Sequence, residues 1–251
     1  MKNLVIANWK MNPKSEAIAV TIVEKIKKDL IPIVGINVAI CPPSVFLPRL
    51  WEETRLTSIK LGVQNVDFRD SGAFTGEISV PMIKKLARYC LIGHSERREL
   101  FAENDKMINK KLIQVLAYGL QPILCVGEKV KDVRMGESDS VMEELTDDLK
   151  NVGPKEIEKV IIAYEPIWAI GKVKGADPAY ANQQISLIRQ AVASFYNRDI
   201  ATNIPILYGG SVNSETISEY LEQPEINGAL IGHQSIKASE FIKMCNIAMG
   251  K

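Results

Sequence analysis

The stretch Val160-Ile161-Ile162-Ala163-Tyr164-Glu165-Pro166 decides the fold. Its run Val160 to Ala163 is apolar without alternation, and it breaks at once on a corner carrying an acid. A strand with one wet face alternates apolar and polar residues. An unbroken apolar run is what a strand covered on both faces requires, and that is the habit of parallel sheets. Working outward, the same unit recurs at Leu4 to Ala7, Val38 to Cys41, Ile59 to Val63, Tyr89 to Ile92, Pro122 to Val126, Ile204 to Leu207 and Ala229 to Ile231.

Helical stretches fall between these runs. Ser15 caps a helix reaching about Leu30, and Ser79 precedes Val80-Pro81, where proline suits a first turn. Asn104 starts a helix with Met107, Ile108, Leu112, Val115 and Leu116 on one face, ended by Gly119. Asp177-Pro178 opens a long helix to about Asn197; Asn213 or Ser214, and Ser239, cap the last two. Eight strands alternating with helices over 251 residues predict a closed (β/α)8 barrel. A doubly wound open sheet reads similarly, and periodicity alone does not separate the two. Nothing resembling a linker interrupts residues 1–251, so the expectation is a single domain.

Composition narrows the partners. The net charge is +1 with both signs mixed along the chain, which argues against nucleic acid or an anionic membrane as the main partner. No apolar run approaches the roughly 20 residues of a spanning helix, and residues 1–10 carry no signal-peptide pattern. Cys41, Cys90, Cys125 and Cys245 have neither CxxC nor metal-ligand spacing, so buried free thiols in a reducing cytoplasm are expected.

Chemistry in such barrels sits where strands end. The corners supply Asn8 and Lys10 after the first run; Gly93, His94, Ser95 and Glu96 after the fourth; Glu165 after the sixth; Gly209, Gly210 and Ser211 after the seventh; Gly232 and His233 after the eighth. Any one of these is ordinarily structural. Together they place an acid, an imidazole, an ammonium and glycine corners at one mouth. Glu165 suits a base that removes a proton next to a carbonyl, and His94 an electrophile for the developing enolate. If His94-Ser95-Glu96-Arg97-Arg98 is helical, its N-terminal dipole disfavours imidazolium. The glycine corners let backbone N–H groups approach an anion. Pro166 to Ala176, apolar in its middle with glycines near its far end, fits a lid that excludes water. The long segment between Gln64 and Ser79 has no helical or strand pattern and carries Phe68 and Phe74, which suits a subunit interface at least as well as a loop folded on its own barrel.

At these residues the chain resembles the triosephosphate isomerase family over its whole length. The resemblance lies in Asn8-Trp9-Lys10-Met11-Asn12, Gly72-Ala73-Phe74-Thr75-Gly76-Glu77-Ile78-Ser79, Gly93-His94-Ser95-Glu96-Arg97-Arg98, Cys125-Val126-Gly127-Glu128, Ala163 through Gly171, and Tyr208-Gly209-Gly210-Ser211-Val212. It implies a (β/α)8 TIM barrel that interconverts glyceraldehyde 3-phosphate and dihydroxyacetone phosphate in glycolysis and gluconeogenesis. It implies Glu165 as base, His94 polarising the carbonyl, Lys10 countering negative charge, Asn8 orienting the substrate, and Glu96 beside that lysine. Gly171, Ser211, Gly232, His233 and Gly210 fall at substrate-binding positions. Pro166, Trp168 and Ala176 belong to the lid, with Tyr208 and Ser211 as its latch. A homodimer is implied, with Thr75 inserted into the partner and Glu77 paired with Arg98 across the interface. No metal or organic cofactor is implied.

The chain departs from the family pattern in places. Gly232-His233-Gln234-Ser235 stands where the family usually has two glycines and Ala-Ser, which bears on phosphate affinity and substrate size. Val173-Lys174-Gly175-Ala176 stands where Gly-Lys-Thr-Ala is more frequent, so altered lid kinetics are expected. Ala102, often glycine in the family, is expected to matter little. The competing readings are an isomerase of a longer phosphosugar, such as an erythrulose phosphate, and an inactive barrel serving as a scaffold. No GxGxxG follows the first strand to support a dinucleotide enzyme.

Overall fold

The structure, a computed structural model, describes residues 3–128, 139–172 and 174–250. Its strands are β1 Asn3–Asn8, β2 Ile36–Cys41, β3 Lys60–Val63, β4 Tyr89–Ile92, β5 Gln121–Glu128, β6 Ile161–Pro166, β7 Ile206–Tyr208 and β8 Gly228–Ile231. They pair in sequence order, all parallel, and β8 closes on β1 through Leu4 opposite Gly228 and Ala7 opposite Ile231. The open-sheet alternative is therefore excluded, and the molecule is a single-domain (β/α)8 barrel.

The unbroken apolar runs have a direct cause. Successive side chains of a strand point to opposite faces. Leu4 and Ile6 of β1 join Leu91, Ile123, Cys125, Ile161 and Ala163 in the barrel interior. Val5 and Ala7, one residue out of step, pack under the helices with Ile22, Val23, Ile26 and Phe241. Both faces are dry through the middle of the strands, so polar residues stand near the strand ends, as Asn8, Asn37 and Glu165 do. All four cysteines are free and buried. Burial pushes the Cys41 thiol up to about 12.

The helices on the outer ring are α1 Glu16–Leu30, α2 Leu47–Thr54, α3 Val80–Ile83, α4 Ser95–Leu100, α5 Asp105–Ala117, α6 Asp139–Asp148, α7 Pro154–Ile157, α8 Pro178–Phe195, α9 Arg198–Asn203, α10 Ile217–Leu221 and α11 Ala238–Ala248. Several start where side-chain chemistry dictates. Asn104 Oδ1 accepts from the Met107 N–H at 3.0 Å, and Asp177 Oδ1 accepts from Ala179 and Tyr180. Three expectations need correction. Asn197 is not the tail of α8 but the cap of α9, its Oδ1 accepting from Ile200 N–H at 2.9 Å. Ser239 lies inside the first turn of α11, whose cap position is Lys237. Asn213 holds a turn ahead of α10, accepting from the N–H groups of Glu215 and Thr216, while Thr216 occupies the cap position.

Ala102 has φ +53°, in the left-handed region that L-residues enter only at a cost, so its departure from glycine is felt by the backbone.

Candidate active site

The strand ends converge on a cavity of about 610 Å³, whose lining includes Asn8, Lys10, His94, Glu165, Ser211 and Gly232. Residues from β1, β4, β6, β7 and β8, scattered over more than 200 positions of sequence, thus share one mouth.

Glu165 is 1% exposed at the end of β6. Its Oε2 accepts from the Ser95 N–H at 2.9 Å, and its Oε1 lies 3.2 Å from His94 Nε2. His94 is the residue from which α4 starts, so the turn after β4 is helical, as its chemistry required. Its Nδ1 accepts from the Glu96 N–H at 3.2 Å. A nitrogen that accepts cannot carry the proton, so the neutral ring here bears its hydrogen on Nε2, facing Glu165 and the cavity. The first N–H groups of α4 thus fix two catalytic candidates at once: Ser95 positions the carboxylate and Glu96 sets the imidazole tautomer.

Lys10 has φ +52°, and its backbone is tied down on both sides. Its N–H donates to Asn8 Oδ1 at 3.0 Å, and its carbonyl accepts from Gln64 Nε2 at 2.8 Å, which also reaches the Cys41 carbonyl. A left-handed backbone persists in a non-glycine residue only when its surroundings over-determine it. Here the reward is an ammonium aimed across the mouth, with Nζ 2.5 Å from Glu96 Oε1. Sequence reasoning assigned Asn8 to substrate orientation and gave Gln64 no role; in the structure both hold Lys10.

The glycine corners have visible causes. A Cβ on Gly209 would sit 2.9 Å from Glu165 Cγ, and one on Gly210 would sit 2.2 Å from the Tyr208 hydroxyl. Neither glycine has a positive φ; both are required by what passes over them. Gly232 lies beside Lys10, a Cβ there meeting Lys10 Cε at 3.4 Å. His233 begins the short turn His233–Ile236, is exposed and lines the cavity. Its φ is not positive, so this corner does not demand glycine at 233.

The segment after β6 is held at both ends. At its start, Glu128 Oε1 accepts from Tyr164 at 2.6 Å, Trp168 Nε1 at 3.3 Å and Tyr180 at 2.5 Å, with the carboxylate almost fully buried. In its middle, Ser211 Oγ donates to the Ala169 carbonyl at 2.9 Å. At its end, the Ala176 N–H donates to the Tyr208 hydroxyl at 2.9 Å. Gly171 has φ +69° in open space. Val173, part of the expected hinge departure, lies outside the described residues.

Of the residues expected at an interface, Thr75 and Glu77 stand on a run, residues 70–77, exposed throughout. Arg98 faces inward, with Nη1 2.5 Å from Asp105 and Nη2 2.6 Å from Asp148. Glu144 lies 3.9 Å away. Three carboxylates share one guanidinium. Burial therefore pushes the Asp148 carboxyl up, to about 8, against the pull of Arg98.

The sequence is similar to those of known proteins. The family model described as Triosephosphate isomerase matches residues 3–248. A triosephosphate isomerase of Clostridium botulinum (strain Loch Maree / Type A3) is 43% identical over 249 residues, covering 98% of this chain and 100% of its own. One of Dehalococcoides mccartyi (strain BAV1) is 43% identical over 250 residues, with 99% and 97% covered. One of Caldanaerobacter subterraneus subsp. tengcongensis is 42% identical over 248 residues, with 97% and 98% covered.

Proposed function

The chain belongs to the triosephosphate isomerase family, and from that premise we propose how its strand-end residues carry the reaction and how the protein is assembled. It is an isomerase that interconverts triose phosphates, a glycolytic activity. The readings as an isomerase of a longer phosphosugar and as an inactive scaffold are not favoured, because full-length relatives carry the triose name.

Glu165 removes a proton from the carbon next to the substrate carbonyl and returns it to the neighbouring carbon. To do so its carboxylate leaves the Ser95 N–H for the substrate. His94 donates from Nε2 to the carbonyl oxygen as a neutral ring, and the imidazolate this leaves takes the proton back. Lys10 offsets the negative charge of the enediolate, and Glu96 holds Lys10 in reach. Backbone N–H groups at Gly171, Ser211 and Gly232 hold the phosphate, with His233 and Gly210 at the same corner. Pro166 to Ala176 closes over the substrate, keeping water from an intermediate that would otherwise lose phosphate; this family is the standard illustration of such a lid.

The observation that carries this reading is the pairing of a buried carboxylate with an imidazole Nε2 at 3.2 Å beside an ammonium, inside the cavity. Steady-state turnover of glyceraldehyde 3-phosphate beside a tetrose phosphate tests it. Fast triose turnover with little tetrose turnover is expected; preferential tetrose turnover would mean that the His233 corner has been rebuilt for a longer substrate.

The assembly is a homodimer. The exposed loop 70–77 carries Phe74, and the exposed side chains of Met11, Val45 and Met82 add apolar surface that a monomer would leave wet. The compartment is the cytoplasm, where four thiols without disulfides stay reduced. Among the described residues no helix is long and apolar enough to cross a membrane.

A further inference from the structure

Ala176, the last residue of the lid, is held by two tyrosines rather than one. Its N–H donates to Tyr208 at 2.9 Å, and its carbonyl accepts from the Tyr220 hydroxyl at 2.6 Å. The two rings stack with centroids 4.1 Å apart and planes 11° from parallel. Tyr220 comes from α10 and is 3% exposed, at the edge of the same cavity at the strand ends. Gly175 completes the arrangement. A Cβ at 175 would lie 2.6 Å from the Tyr220 hydroxyl and 2.5 Å from the Ser211 carbonyl. The oxygen of Tyr220 thus occupies space that any other residue at 175 would fill. Gly175 is the hinge position at which this chain departs from the more frequent threonine.

We propose that Tyr220 is a second latch for the lid: a positioning residue that grips the Ala176 carbonyl in the closed state, with Gly175 as the small partner that makes room for its hydroxyl. The inference rests on the reading of residues 166–176 as a lid. A closed lid gripped on both the N–H and the carbonyl of one residue opens less often than a lid gripped on one. Removing the Tyr220 hydroxyl therefore shifts the lid toward open without touching the substrate. Once open, the enediolate is exposed to water. Its electron pair then expels the phosphate by breaking the C–O bond, releasing an enol that ketonises to methylglyoxal.

The experiment compares Tyr220→Phe, Tyr208→Phe and the parent for three quantities: kcat and KM separately, the affinity for 2-phosphoglycolate, and the ratio of inorganic phosphate released to isomer formed. Tyr220→Phe keeps the ring stack. It is expected to weaken 2-phosphoglycolate by about two- to tenfold, the worth of one buried hydrogen bond, and to raise the phosphate-to-isomer ratio. A purely structural role would lower thermal stability and leave that ratio alone, and this result overturns the proposal. If Tyr208→Phe raises the ratio and Tyr220→Phe does not, the second latch fails while the lid stands; if neither does, both fail. Gly175→Ala serves as a second variant should Tyr220→Phe not fold. Its Cβ would meet the Ser211 carbonyl, the Tyr220 hydroxyl and the Tyr208 hydroxyl at 2.5, 2.6 and 2.9 Å, so it loosens both latches and is expected to raise the same ratio; an unchanged ratio counts against the proposal.

Discussion

Gly209 shows how closely one residue is tied to the chemistry. Its missing Cβ leaves room for the Cγ of Glu165, 2.9 Å from where that atom would sit. Gly209→Ala is expected to push the carboxylate aside. A displacement of about 1 Å at a reacting group costs on the order of a hundredfold in rate, so kcat should fall by about that much. The melting temperature should move little, since the strain is local; parallel kinetics and thermal unfolding check both. Ala102 carries the opposite lesson. At φ +53° it occupies a conformation that glycine enters freely. Ala102→Gly should stabilise the fold by about 0.5–1 kcal/mol, the left-handed penalty less the extra freedom glycine gains when unfolded, as read from denaturant midpoints. Glu165, His94 and Lys10 were visible in the sequence because each stands in the corner just beyond an apolar run. Gln64 was not, because its role depends on two carbonyls, of Lys10 and Cys41, that only the fold brings together.

At the scale of elements, the strands were legible and the helix ends less so. Two-sided burial writes the strands as apolar runs, and the structure lengthens some of them, as β5 to Gln121–Glu128, and shortens others, as β7 to Ile206–Tyr208. Helices announce themselves where Asn or Asp caps them, as at Asn104 and Asp177. α2 starts from Phe46 and α7 from Gly153, neither with a side-chain cap, so the prolines of their first turns, Pro48 and Pro154, are the marks of where they begin. The packing of α4, α5 and α6 around Arg98 makes a prediction of its own. The folded-state value of Asp148 lies above its unfolded value, near 3.8, so the folded state holds a proton that the unfolded chain releases. Stability from this group is therefore full at low pH and lost as pH rises toward 8. One such proton contributes a slope of at most about 1.4 kcal/mol per pH unit. Urea unfolding between pH 5 and 8 should show this decline, and Asp148→Asn should flatten it. An equal slope in both proteins would mean that Arg98 keeps Asp148 ionised throughout.

For the whole molecule, closure of the barrel is what turns eight separate strand ends into one site. The sequence could not distinguish a closed barrel from an open sheet, because both bury their strands on two faces; the pairing of β8 with β1 decides it. The proposed dimer is argued from apolar surface that folding leaves uncovered. Phe74→Asp in the exposed loop should shift the sedimentation of the protein toward monomer. A dimer unaffected by that charge would place the interface elsewhere. The central claim is that a single carboxylate moves the proton. The measurement that tests it most directly is turnover of glyceraldehyde 3-phosphate by Glu165→Gln, beside its affinity for 2-phosphoglycolate. The account predicts a kcat lower by about 10²- to 10⁴-fold, the usual worth of a general base, with the analogue still bound; near-normal turnover in that variant would contradict it.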